Sequence, residues 1–169
     1  MPHLDAAYRF ARWLARSSAD ADDIVQEAVL RAYRGFDALR GSDIKGWLLA
    51  IVRNCHATAY RQAQRRATVA LPEEGDAQNG YAMVASEPDP ESATILTDDE
   101  RTFEQLMARL SEEHREVLAL RELEEMSYRE IATVTHLPIG TVMSRLARAR
   151  AALKELWLTD AQGEPSGVR

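Results

Sequence analysis

Residues 68 to 100 carry nine Asp and Glu and not one Arg or Lys. This stretch constrains the chain most. Within it, residues 68–97 (TVALPEEGDAQNGYAMVASEPDPESATILT) add three prolines, two glycines and many small polar residues, too few large apolar groups and too much like charge to fold alone. They read as a flexible acidic linker, with YAMVA as a short island able to dock. A chain of 169 residues holds one ordinary domain or two small ones, and the linker decides for two. The first 67 residues hold eleven bases against seven acids, a formal +4; residues 101–169 are nearly balanced at −1. The overall −6 therefore belongs mainly to the linker, and each folded block is basic or close to neutral.

Both blocks read as helical, so the expected fold class is all-α: two small helical bundles joined by the linker. LDAAYRFARWLAR sets Leu4, Ala7, Tyr8, Ala11 and Leu14 on one stripe. After SSADAD, the segment DIVQEAVLRAYRGF repeats the pattern with Ile24, Val25, Ala28, Val29, Ala32 and Phe36, and Asp20 or Asp22 is the expected N-cap. The polar loop DALRGSDIKG leads to a third helix, WLLAIVRNCHATAYRQAQRR, whose apolar start and arginine-rich end give this bundle a basic edge. Trp47, heading an apolar run, is expected in the core rather than as a stacking platform. The second block begins with a helix over 98–110; Ser111 then caps EEHREVLALREL, with Val117, Leu118, Leu120 and Leu123 inward. The expected domains are 1–67, 68–97, 98–158 and a frayed tail, 159–169.

IGTVMSRLARARAAL answers why an acidic chain has one strongly cationic helix. It follows a short helix opened by Ser127 and Glu130 at capping-box spacing, and the turn HLP places Pro138 at the next helix start. A short helix, a tight turn and a basic second helix make a helix-turn-helix. Ile131 and Ala132 are expected to meet Leu137, Val142 and Leu146. That leaves Thr141, Ser144, Arg145 and Arg148 for DNA, with Arg150 and Lys154 further along. Arg suits the O6 and N7 acceptors of guanine, and Ser or Thr suits bases and phosphates. The plainer alternative is a solvated cationic face helped by the helix dipole.

Other chemistry finds little support. Cys55 has no disulfide partner and reads as a small buried hydrophobe, while His3, His56, His114 and His136 are scattered without metal-ligand spacing. No nucleophile, base and orienting group assemble from local motifs, so no enzyme, cofactor, metal or small-molecule substrate is expected. MPHLDAAYRFARWLARSS lacks the continuous apolar run of a signal peptide or membrane span, and a cytoplasmic protein is the expectation.

ADDIVQEAVLRAYRGF followed by IKGWLLAIVRN, and later LSEEHREVLALRELEEMSYREIATVTHLPIGTVMSRLARARAALKELW, together resemble regions 2 and 4 of the extracytoplasmic-function (ECF) sigma factors of bacterial RNA polymerase. The resemblance implies that Asp23, Gln26 and Glu27 bind core polymerase. Their i, i+3, i+4 spacing puts them on one helix face. It implies that Arg40, Ser42, Asp43 and Lys45 pocket an extruded base of the −10 element, while Asn54, Arg61 and Arg65 track the single strand. Thr141, Ser144, Arg145 and Arg148 then read the −35 element. Met143 stands where many members carry a basic residue and Ala147 where some carry an aromatic, so the promoter sequence does not carry over. The implied partners are core RNA polymerase, promoter DNA and an anti-sigma factor, the chain being a monomer or a heterodimer with the latter. Two other functions fit the residues: a stand-alone helix-turn-helix regulator, and a sigma-like adaptor that sequesters a regulator without binding DNA.

Overall fold

The computed structural model describes residues 3–15, 17–39, 41, 43–69 and 98–163. The linker core, 70–97, lies outside them, as do 164–169, Arg40 and Ser42. Among the described residues every regular element is helical, and the chain divides into two compact units, 1–92 and 93–169.

The first unit holds α1 (Leu4–Leu14), α2 (Ser18–Gly35), a 3-10 turn (Phe36–Ala38) and α3 (Ile44–Val69), each helix packing on the other two. Its core is Ala6, Ala7, Phe10, Ala11 and Leu14 of α1, Ala21, Ile24, Ala28 and Ala32 of α2, and Leu48, Leu49, Val52 and Cys55 of α3. The expected stripe on α1 is thus rotated: Phe10 is fully buried, whereas Leu4 and Tyr8 are exposed. Phe36 is also exposed, because the alanines of α2 form the seam and leave larger side chains at its rim. Cys55 sits in the core as expected, and burial pushes its thiol up.

Two helix starts differ from expectation. Ser17, rather than Asp20 or Asp22, caps α2, its hydroxyl accepting from the Asp20 amide at 3.1 Å. The cap precedes the acids because Ser17 has the extended backbone that a cap requires, whereas Asp20 already lies in the first turn. Helix α3 begins at Ile44, three residues before Trp47, because Asp43 accepts from the Gly46 amide at 2.8 Å. A Cβ on residue 46 would run into that carboxylate, so Gly46 leaves room for the cap. Trp47 is half-buried at the bundle edge, edge-on to Phe36 with ring centroids 6.5 Å apart.

The second unit holds α4 (Asp98–Ala108), α5 (Glu112–Leu118), a π-helical turn (Ala119–Leu123), α6 (Tyr128–Thr135) and α7 (Ile139–Gly163). Helix α7 contacts α4, α5 and α6 and is the spine of the unit. Ser111 caps α5 as expected, accepting from His114. The expected single helix through Leu123 instead widens into the π turn, and Leu123 is only half-buried. Helix α7 continues to Gly163, past the expected domain end and into the expected tail. No described helix is long and apolar enough to cross a membrane.

Candidate nucleic-acid interfaces

In the second unit, the geometry of α6 and α7 follows from local chemistry. Ser127 and Glu130 form a complete capping box: the serine hydroxyl accepts from the Glu130 amide at 3.3 Å, and the Glu130 carboxylate accepts from the Ser127 amide at 2.7 Å. Helix α6 stops at His136, in the left-handed region at φ 55°, and the amides of His136 and Leu137 both donate to the Ala132 carbonyl. The Pro138 carbonyl then accepts from Thr141 and Val142 at 2.9 and 3.1 Å, starting α7 at once. Ile131 and Val134 of α6 are buried with Val142, Leu146 and Ala149 of α7. The turn and this apolar seam fix a helix-turn-helix.

With that seam inward, Gly140, Met143, Ser144, Ala147, Arg148 and Ala151 are exposed on α7. The Ser144 hydroxyl donates to the Thr141 carbonyl at 3.1 Å, and Arg148 Nε donates to the Ser144 carbonyl at 3.3 Å. These bonds hold both side chains close along the outer face, and Thr141 is half-buried beside them. Arg145 differs from its neighbours. Its Nη2 lies 3.0 Å from Glu113 Oε2 on α5, and its side chain is only 15% exposed. The four expected −35 residues are therefore divided: Ser144 and Arg148 outward, Thr141 half-buried beside them, and Arg145 on the flank toward α5.

Sequence reasoning overlooked the partners that distribute these cations. Arg150 donates through Nε and Nη2 to Glu122 Oε1 at 3.1 and 2.7 Å, tying α7 to the π turn. Arg121 donates to the Met126 carbonyl at 2.7 Å and lies over the Tyr128 ring, 5.2 Å from its centroid. His114 feels the same cluster. Burial pushes its imidazole down, and the positive charges of Arg148 and Arg145 push the same way, against the pull of Glu113. Only the packing of α5 beside α7 reveals this, since His114 and Arg148 are far apart in sequence.

In the first unit, Asp23, Gln26 and Glu27 are all exposed, on the side of α2 opposite its buried alanines. Leu30, 51% exposed, and Tyr33, 77% exposed, continue that face by nearly two further turns. Glu27 is paired: its Oε1 accepts from Arg31 Nε at 2.6 Å.

Of the expected −10 residues, Arg40 and Ser42 lie outside the described ones. Asp43 is engaged as the α3 cap, and Lys45 is half-buried. Asn54, Arg61 and Arg65 are exposed at i, i+7 and i+11, one stripe along α3. Arg61 Nε donates to the Ala57 carbonyl at 3.0 Å, which lays that side chain back along the helix. No cluster of three or more His, Cys, Asp or Glu suited to a metal ion occurs among the described residues.

Residues 1–66 match the family model Sigma-70 region 2, and residues 100–153 match Sigma-70, region 4. The chain is 36% identical over 138 residues to the RNA polymerase sigma-H factor of Pseudomonas aeruginosa, covering 79% of this chain and 71% of that protein. It is 32% identical over 156 residues to the ECF RNA polymerase sigma factor SigE of Mycolicibacterium smegmatis, covering 90% of this chain but 58% of that longer relative. Among solved structures, the sigma factor RpoE in complex with the anti-sigma factor NepR from Bartonella quintana superposes with a TM-score of 0.74 at 29% identity, over 93% of this chain and 92% of that one. Two sigma-70 regions in family order, on helical units whose charged faces point outward, make one assignment: the chain belongs to the ECF sigma factors of RNA polymerase.

Proposed function

We propose that this chain is an alternative sigma factor that binds core RNA polymerase, reads and opens promoter DNA, and starts transcription. The observation that carries the reading is the outward pair Ser144 and Arg148 on a helix fixed by the capping box and the buried seam, in a chain whose other unit exposes Asp23, Gln26 and Glu27. Ser144 and Arg148 read the −35 element in the major groove, where Arg is suited to guanine and the exposed Met143 and Ala147 to thymine methyl groups. Arg145, braced on Glu113, sets the flank of that helix and contacts the backbone rather than a base edge. In the first unit, Asp23, Gln26 and Glu27, extended by Leu30 and Tyr33, form the polymerase-binding face. Asn54, Arg61 and Arg65 guide the opened −10 strand, with Asp43 and Lys45 beside it; Arg40 and Ser42 are assigned to the same strand from the resemblance alone. The domain roles follow: 1–67 for polymerase and the −10 element, 98–158 for the −35 element, 68–97 as acidic linker.

An anti-sigma factor is the natural regulator of such a chain, as NepR is a partner of the similar RpoE. Leu4 and Tyr8 on the first unit, and Trp157 and Leu158 on the second, are exposed apolar groups suited to it. The site of action is the cytoplasm, where polymerase and DNA are found.

The test adds the purified chain to core polymerase free of other sigma factors, with genomic fragments as template. Specific transcripts that vanish when Asp23, Gln26 and Glu27 become alanine support the proposal and identify promoters. Specific DNA binding by the chain alone, without transcripts, would point to a stand-alone regulator instead.

A further inference from the structure

Between α2 and α3 lies a cleft of about 320 Å³ lined by Arg31, Gly35, Trp47, Ile51 and Asn54. Its floor and rim suit one unstacked nucleotide. Trp47 and Ile51 provide apolar surface, Asn54 an amide able to donate and accept, and Arg31 a guanidinium. Gly35 lies against Trp47: a Cβ there would stand 3.6 Å from the ring, in ordinary contact. Trp47 and Asn54 are also the first two positions of the α3 stripe that continues through Arg61 and Arg65, so a strand following the stripe passes the cleft.

Among the described residues lining this cleft Arg31 is the cation, and it is held on Glu27 at 2.6 Å. Glu27 in turn belongs to the face read above as the polymerase-binding surface. Both side chains are close to half-exposed, at 43% and 47%, so a donor from polymerase can reach Glu27 while the pair is formed. A cation or amide donor of the polymerase that takes Glu27 sets Arg31 free beside an open cleft.

We propose that Arg31 is a single-strand contact held in reserve: Glu27 retains it in the free chain, and engagement of Glu27 by polymerase releases it to a backbone phosphate of DNA entering the cleft. The proposal rests on the sigma-factor reading and deepens it, because one residue pair then links polymerase capture to grip on the opened strand. The guanidinium needs no backbone movement, since Arg31 already lines both the pair and the cleft.

The test imitates release without polymerase. The full chain is titrated against a fluorescent twelve-nucleotide oligo-dT, and affinity is followed as salt is raised. Glu27→Ala should tighten binding at least about threefold and steepen the slope of log K against log salt by about 0.7, the increment for one added single-strand phosphate contact. Asp22→Ala makes the same charge change on the same helix without freeing Arg31, and should leave the slope as in the parent. In Glu27→Ala/Arg31→Gln the gain should disappear, whereas Arg31→Gln alone should bind like the parent. Four results overturn the proposal: equal gains from Asp22→Ala and Glu27→Ala, a gain that survives loss of Arg31, weaker binding from Arg31→Gln alone, or no gain from Glu27→Ala. Each leaves the sigma-factor reading intact, since that stands or falls on transcription with core polymerase. Circular dichroism checks that each variant keeps its helices.

Discussion

Two arginines one turn apart on α7 should behave differently when each is cut back to alanine. Arg148 is exposed on the outer face beside Ser144, whereas Arg145 is 15% exposed and braced at 3.0 Å on Glu113. A bidentate Arg–guanine contact discriminates by about 1–3 kcal/mol, so Arg148→Ala should shrink the ratio of specific to scrambled −35 duplex affinity by about five- to 150-fold. Arg145→Ala loses a pair whose partner, Glu113, is 69% exposed and well screened. Such pairs contribute about 0.2–1 kcal/mol to stability. Its discrimination ratio should stay within about twofold of the parent, with binding to both duplexes weakened alike. Competition anisotropy with the −35 duplex taken from the transcripts measures both ratios. Equal loss of discrimination from the two variants would refute the division of labour drawn from their burial.

Four further outcomes follow from local geometry. Ser127→Ala removes the hydroxyl that accepts from the Glu130 amide, leaving the residue-127 amide still able to donate to Glu130, and should cost about 1 kcal/mol in urea unfolding; an unchanged midpoint would mean that α6 does not depend on its cap. Asp43→Ala should destabilise the first unit by a similar amount, about 1 kcal/mol, whereas Asp43→Asn should not, because asparagine caps equally well. His114 has a lowered pKa in the folded chain, so the unfolded chain binds the proton first. Stability should therefore fall as pH drops below the ordinary histidine value of 6.5 toward the lower folded value, and His114→Gln should flatten that slope; an identical slope would place the titration elsewhere. Arg61→Ala should weaken oligo-dT binding irrespective of sequence and reduce its salt slope by about 0.7; sequence-dependent loss would reassign Arg61 to base readout.

Signals carried within one or two turns were legible in the sequence. The capping box at Ser127 and Glu130, the cap at Ser111, the turn through Pro138 and the inward Ile131, Val142 and Leu146 all stand as their spacing implied. Where an apolar stripe was ambiguous, the packing partner decided. Leu4 and Tyr8 fit a helical period as well as Phe10 does, but the close approach of α2 and α3 selects the face bearing Ala6, Ala7, Phe10 and Ala11. The π turn was illegible because Ala119–Leu123 is an ordinary helical sequence, widened where Glu124 and Met126 donate to the carbonyls of Ala119 and Leu120. Site residues were found by type but not by partner. Neither Glu113 against Arg145 nor Glu122 against Arg150 follows from sequence, because each pair joins separate helices. The pair at Glu27 and Arg31 lies within one helix, and its i, i+4 spacing is visible in the sequence.

The alanine seam of α2 bears on how the opposite face meets a large partner. Ala21, Ala28 and Ala32 are at most 1% exposed, and alanine has no side-chain rotamers to redistribute. A seam of leucines can settle into several arrangements, each tilting its helix a little differently; three alanines with the stiff, β-branched Ile24 leave far fewer. The outward residues at 23, 26 and 27 are thus mounted on a stiff base, and the entropy lost on docking is confined to their own side chains. The same stiffness makes the seam intolerant. Any larger residue at these three positions must push α2 outward bodily, moving the whole docking face while changing none of its residues.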